Sequence, residues 1–409
     1  MKPISFRSIT SVFGSIGIYL ALGIALSATD WPKWLGPNEN NQVAAADNFD
    51  PNLDNWKIAW QKNVGLGYSS VTTFQGKVYT MGHDGRSKET IAAFDHTTGE
   101  ELWSYTYEGD LIPSMHVGGP NASVLISDGH AYAVSKDGQV ICLDANTGKQ
   151  VWNAYLTELL GIDVPKWGFG SSPVAFRNEI IVSAGKVIAF DKQSGSVNWI
   201  SPDTRKPGYG TPIIFDRNRE NFIAATDAGG LSILRISNGV EVARKDMRVK
   251  FDVFLTSPAI FEGGNKILLF NNSFSELYSF DGKALSVDWS DRKLQNTLHG
   301  SVRLGDSIYG MNGGHKNKKT SLFSRNFSDG SEQWVVPNYG YASMIAVGDT
   351  LVILTEDGEL VTAPANSDSY QEISRKKLLD GICWTTPTYA EEKIYIRNEH
   401  GVLIVLDKI

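Results

Sequence analysis

Five times along this chain an Asp or Asn stands eight residues before a Trp: Asp95 and Trp103, Asp144 and Trp152, Asp191 and Trp199, Asp281 and Trp289, Asn326 and Trp334. In four of the five a Gly also stands four residues before the Trp, at Gly99, Gly148, Gly195 and Gly330. Such a recurrence means that one small unit is built repeatedly and that no unit buries its apolar face alone. The chemistry of the unit is readable. The apolar run 139–143 ends at Asp144, whose carboxylate can accept hydrogen bonds from turn amides. Thr147-Gly148 supplies a residue that tolerates positive φ, and a second strand leaves carrying Trp152. Further short strands lie upstream, over 131–134 in the second unit and 77–81 in the first, with Asp137-Gly138 as a hairpin-type turn.

Four short antiparallel strands per unit of roughly forty to fifty residues is the pattern of a β-propeller blade. Units begin near Tyr68, Asn121, Ser171, Thr211, Thr256, Ser301, Ala342 and Thr385. The expected fold is therefore all-β, an eight-bladed propeller of four-stranded antiparallel blades; seven blades follow if a degenerate unit is not a blade. The fourth unit lacks its Trp, with Asn238-Gly239 leading to Val242-Ala243, and the seventh carries residues 366–369 in its turn. The eighth stops at Ile409 after three strands, and residues 56–62, with Trp60, match its missing outer strand. The N-terminal strand is expected to close the ring, which removes exposed sheet edges. Trp60, Trp103, Trp152, Trp199, Trp289 and Trp334 are expected to dock blade against blade.

The anchor resembles the tryptophan-docking repeat of the pyrroloquinoline-quinone (PQQ)-like β-propeller superfamily. Trp31-Pro32-Lys33-Trp34-Leu35-Gly36-Pro37-Asn38 resembles the segment that often opens its exported members. The resemblance covers about residues 31 to 409 and implies the fold. It does not single out an activity, because the same repeat serves quinoprotein dehydrogenases and non-enzymatic scaffolds such as the outer-membrane assembly factor. The alcohol dehydrogenases of that superfamily use a vicinal Cys-Cys pair, a carboxylate and amide set for Ca²⁺, and a catalytic Asp. Here Cys142 and Cys383 are far apart and read as buried thiols. Trp167 or Trp384 as a stacking plate, and Asp163 or Asp252 as an acid, are what this chain offers instead. No cofactor is expected on the scaffold reading; PQQ with Ca²⁺ is the alternative.

At the N-terminus Lys2 and Arg7 precede an uncharged run from Ile9 to Ala28. Residues 1–28 read as a secretory signal cleaved near Ala28, with an uncleaved anchor as the alternative. Residues 29–54 then form an N-terminal extension and 55–409 the propeller. The net charge of -7 contains no like-charge block, the longest basic stretch being residues 316–319. No nucleic-acid partner, no polybasic membrane patch and no membrane span after cleavage are expected. The chain reads as a periplasmic or secreted monomer.

The inner strands begin with a shared phrase, an aromatic followed by small residues and Ser or Thr, as in Tyr68-Ser69-Ser70 and Tyr209-Gly210-Thr211. In a propeller these starts converge on the channel mouth. Tyr68, His116, Trp167, Phe169, Tyr209, Phe254, His299, Tyr341 and Trp384 are thus the candidate ligand-binding set, suited to a planar or sugar-like ligand. The alternative is that they pack and cap the inner strands. No catalytic residue and no metal ligand is assigned. The seven His lack zinc-type spacing, and the acidic run Asp47 to Asp54 lacks the Gly and Glu of a calcium loop. The Gly-x-Gly pairs at 65/67, 168/170 and 208/210 recur at blade starts as punctuation. The expected function is a non-catalytic exported propeller that binds a protein partner or polysaccharide; the alternative is a PQQ-dependent alcohol or sugar dehydrogenase.

Overall fold

The computed structural model describes residues 30–44, 49–114, 116–203, 205–314 and 319–409. The segment read as a signal lies outside the described residues, as do Asp47 and the basic residues 316–318. Eight four-stranded antiparallel blades follow one another. Blades 1 to 7 span 72–108, 125–155, 174–200, 213–246, 259–291, 302–336 and 342–377, and blade 8 joins 388–408 to the strand Trp56–Asn63. The degenerate fourth and seventh units are full blades, so the count is eight. Helix is confined to Leu156–Leu160 and two 3-10 turns among the described residues, and no helix there is long and apolar enough to cross a membrane.

The Trp repeat works between units rather than within them. Trp103 of blade 1 donates from Nε1 to Ala145 O of blade 2 at 3.0 Å, and Trp152 of blade 2 donates to Lys192 O of blade 3 at 3.0 Å. Trp60, Trp289 and Trp334 make the same bond to His96, Phe327 and Asn366. Trp199 lies on Gly239 of blade 4, with no bond from its Nε1. Five of these rings, all but Trp334, lie on the turn Gly of the following blade. A Cβ on Gly148 would sit 2.6 Å from the Trp103 ring, and its φ of +69° is itself unsuited to a larger residue. The sequence also sets the angle at which the Trp leaves its strand. Seven outer strands carry a register shift beside the Trp or its equivalent, as between Gln150 and Trp152 or Ile58 and Trp60. A bulge twists the strand locally and re-aims the side chain, here towards the next blade. Blade 4 offers Ala243 at that position, and the space beside Gly282 of blade 5 is open. That interface is filled instead by Phe215, Phe222 and Phe280.

The turn Asp does what its position implies. Asp144 Oδ1 accepts from the amides of Asn146 and Thr147 and from the Thr147 hydroxyl, which hold its carboxyl below the usual range. Ring closure adds a separate device. Arg397 of blade 8, fully buried, donates to the carbonyls of Gly65, Gly67, Ser69 and Met81 and to the Thr80 hydroxyl at the start of blade 1. Cys142 and Cys383 are free buried thiols, each pushed up to about 12 by burial.

Candidate functional site

Where the inner strands begin, backbone amides pass hydrogen bonds from blade to blade. Ser70 N donates to Ser123 Oγ at 3.1 Å, Ser123 N to Ser172 Oγ at 2.8 Å, Ser172 N to Thr211 Oγ1 at 2.9 Å and Thr211 N to Ser257 Oγ at 3.0 Å. Each donor lies on one blade and its acceptor on the next. A hydroxyl therefore recurs at this position because it satisfies an amide at a blade junction where no strand partner exists. Of the acceptors, Ser172, Thr211 and Ser257 also reach the channel wall, whereas Ser123 is buried.

Above this belt lies a cavity of about 590 Å³, within the range of small-molecule sites, about 300–1,000 Å³. Its floor is the N-terminal extension. Trp31 N donates to Thr73 Oγ1 of blade 1, Pro32 O accepts from Ile126 of blade 2, and Trp34 Nε1 donates to Ser257 Oγ of blade 5 at 3.3 Å. Gln42–Val43 then runs parallel to Ala342–Val347, the inner strand of blade 7. Residues 30–43 thus cross the channel from inner strand to inner strand and present the Trp34 ring upwards. One wall is Tyr68 stacked on Trp384, with centroids 5.2 Å apart and planes at 23°. Tyr68 Oη donates to Glu399 at 2.7 Å and the Trp384 indole to Glu356 at 2.6 Å, so both rings are fixed from behind. Across the ring, Trp167 and Tyr209 form a second wall, centroids 5.5 Å apart.

Of the candidates from sequence, Tyr68, His116, Trp167, Tyr209, His299 and Trp384 line this cavity. Phe169, Phe254 and Tyr341 are instead buried between blades. Phe169 covers Gly138, Phe254 gives its carbonyl to Tyr209 N, and Tyr341 stacks behind His299. Asp163 and Asp252 are exposed and outside the lining. The repeat pattern missed Trp34, Lys166, Lys250 and Phe251, all of which line the cavity. They lie in the extension and in inter-blade loops; an aromatic between two charges, Lys250-Phe251-Asp252, was the available signal.

That loop has a built geometry. Phe251 is 88% exposed and sits at φ 64°, with Asp252 at φ 49°. Left-handed backbone at a bulky non-glycine residue is unfavourable by about 1–2 kcal/mol and needs support. Asn272 supplies it from blade 5: its Oδ1 accepts from Lys250 N at 3.1 Å and its Nδ2 donates to Lys250 O at 2.9 Å, while Ser273 Oγ accepts a second bond from Lys250 N.

Behind Trp167 lie two buried titratable side chains, Lys136 and Glu89. Gly168 packs directly on the stem of Lys136, and Lys136 and Glu89 are both fully buried. Tyr107 Oη donates to Glu89 at 2.7 Å. Burial pushes the Glu89 carboxyl up to about 7 against the bonds from Tyr107 and Lys136 N, with Asp137 nearby, and burial pushes the Lys136 ammonium down to about 7. A raised carboxyl contributes stability that is complete below the unfolded value, 4.5, and is lost as pH rises through about 7. Glu89→Gln removes that loss. The variant is expected to match the parent in urea unfolding at pH 4.5 and to exceed it by up to about 3 kcal/mol at pH 8.5. A difference that does not change with pH would refute this.

The cofactor implied by the resemblance brings Ca²⁺, which takes about six to eight oxygen ligands, carboxylates among them. Among the described residues lining the cavity there is no Asp or Glu, since Glu356 and Glu399 are engaged behind the rings. Among the described residues, no three His, Cys, Asp or Glu side chains are grouped to hold a metal. The donor set does not fit that ion.

A family model described as outer membrane protein assembly factor BamB matches residues 87–336. The BamB of Burkholderia pseudomallei is 24% identical over 330 residues, 74% of each chain. The quinohemoprotein alcohol dehydrogenase ADH IIB of Pseudomonas putida is 24% identical over 205 residues, 44% of this chain. The match spans 28% of that dehydrogenase, so this chain covers about a quarter of the length of such relatives. Among solved structures, the quinohemoprotein alcohol dehydrogenase of Comamonas testosteroni superposes with a TM-score of 0.70 at 13% identity, covering 92% of this chain and 80% of that one. This likeness concerns the fold.

Proposed function

The chain belongs to the family described as outer membrane protein assembly factor BamB, and from that premise we propose that it is a non-catalytic exported scaffold that docks a protein partner of outer-membrane assembly on its channel-mouth face. The observation that carries the reading is Phe251. A bulky aromatic 88% exposed, held in a left-handed backbone by two bonds from Asn272, is arranged for contact rather than for packing. Aromatic anchors of this kind dominate binding energy at protein interfaces. The match to BamB along three quarters of both chains supports it, and periplasmic residence follows from the same reading.

A photoreactive phenylalanine analogue at position 251, expressed in cells of the source organism, is expected to yield an adduct with an outer-membrane assembly component. Phe251→Asn, which keeps a residue at ease in the left-handed region, is expected to weaken that complex by about 2 kcal/mol, roughly thirtyfold, with the thermal midpoint unchanged. A second reading, a PQQ-type oxidoreductase, is favoured by the dehydrogenase relatives. Titration of residues 30–409 with PQQ and Ca²⁺ separates the two. Saturable tryptophan quenching with dye reduction by alcohols or sugars, and no adduct at 251, would overturn the scaffold reading.

A further inference from the structure

We propose that the cavity beneath the mouth is a saccharide site that takes the end of a carboxylate-bearing, uronate-type glycan. It deepens the reading of the mouth as a binding face and rests on it in that respect alone.

Residues 30–43 cross the channel between blades 1, 2, 5 and 7 and place Trp34 in the cavity lining, which obstructs passage along the channel. A channel crossed in this way favours the end of a chain over a strand threaded through it. Its two aromatic walls, Tyr68 with Trp384 and Trp167 with Tyr209, stand on different sides of the ring, and the Trp34 ring lies between them. Ring faces pack on the C–H faces of a pyranose, and they do so here with little loss of freedom, since all five are already held by hydrogen bonds or ring contacts. Between the walls the lining is largely apolar, with Val253, Leu255 and Leu298, and its polar groups are few and placed. Ser172 and Thr211 have each accepted one amide, Ser257 an amide and the Trp34 indole, and each keeps a hydroxyl proton to donate, while Asn121, Asn272 and Gln295 add amide groups. An apolar surface with a few placed polar groups suits a pyranose, whose C–H face stacks while its hydroxyls meet those groups.

The sign of charge narrows the class. Among the described lining residues the formally charged side chains are Lys166 and Lys250, and no carboxylate lines the cavity. Lys166 Nζ lies 5.3 Å from the Trp167 ring centre, and Lys250 Nζ lies 3.3 Å from Gln295 Oε1, so both ammonium groups are held at the rim against neutral partners. Lys166 thus sets a positive charge beside the ring face of one aromatic wall, within reach of an anionic substituent on a ring stacked there. A uronate carboxylate is such a substituent.

The test is calorimetric titration of the whole exported chain with trigalacturonic acid and, as the neutral comparison, maltotriose. Trigalacturonate is expected to bind about tenfold tighter at low salt. Lys166→Met with Lys250→Met is expected to abolish that preference, so that the variant binds trigalacturonate and maltotriose with equal affinity. Trp167→Ala is expected to weaken both sugars by about tenfold or more, with the thermal midpoint of the protein unchanged. No binding of either sugar at millimolar concentration, or equal affinities that the lysine changes do not alter, would overturn the proposal. So would displacement of bound trigalacturonate by micromolar PQQ, which would assign the cavity to a planar polycarboxylate. If sugar binding fails while the adduct at 251 forms, this inference alone falls; if both fail, the mouth is not a binding face.

Discussion

Arg397→Met is expected to unfold the protein at markedly lower urea, with a loss of about 4 kcal/mol or more. The guanidinium joins the last blade to the first through four carbonyls and a hydroxyl, at 2.8 to 3.1 Å. Burial pushes the side chain down to about 10, which still leaves it charged at neutral pH. Its removal strands acceptors in a site without solvent, each unfavourable by about 1–3 kcal/mol unless water enters. Met matches the volume of the stem, so the change tests the hydrogen bonds rather than a cavity. Hydrogen exchange locates the damage. Trp56–Asn63 and Val402–Lys408, the strands that close the ring, are expected to lose protection before blades 3 to 5. Unfolding within 1 kcal/mol of the parent, with those strands still protected, would show that closure rests on strand pairing alone.

That clamp was not legible in the sequence, whereas the blades were, and the difference is physical. Asp144, Gly148 and Trp152 recur because each answers a local demand, a turn amide, a positive φ and a bulged strand, and local demands leave fixed spacings. The degenerate fourth unit was recognisable for the same reason, since Val242-Ala243 keeps the bulge without the indole. Arg397 meets its partners more than three hundred residues away, and nothing in Ile394-Tyr395-Ile396-Arg397 marks it as buried.

The site was legible to the depth that the repeat reaches. Tyr68, Tyr209 and Trp384 were found because blade starts converge, yet the same phrase also yielded Phe169, Phe254 and Tyr341, which turn into the inter-blade core. Whether an aromatic at a blade start faces the channel or its neighbour depends on backbone direction over one or two residues, which composition does not encode. Trp34 and Phe251 lie outside the repeat, and position alone makes them part of the cavity.

Trp152→Ala is expected to cost about 3–5 kcal/mol, the range for emptying a buried aromatic site. The ring touches blade 3 in three ways: it covers Gly195, whose Cβ would lie 2.5 Å from it, it stacks on Phe190 at 5.8 Å, and it donates to Lys192 O. The backbone around Gly195, at φ +71°, cannot move up to fill the gap, because its turn is tied to Asp191 through the amides of Gln193 and Ser194. The lost ring therefore leaves a cavity, and Lys192 O keeps only its bond from Tyr132 Oη at 3.2 Å. The junction of blades 4 and 5 shows that a docking indole is dispensable only where something replaces it, there a cluster of three Phe rings. At the junction of blades 2 and 3 the aromatic ring of blade 3 that meets Trp152 is Phe190, beside aliphatic side chains such as Ile180 and Ile188. Trp152→Phe, which keeps the apolar contact and loses the bond to Lys192, is expected to recover more than half of the stability. Thermal unfolding of Trp152→Ala close to the parent would mean that the turns and strands hold the ring, and that the recurring Trp serves some purpose other than docking.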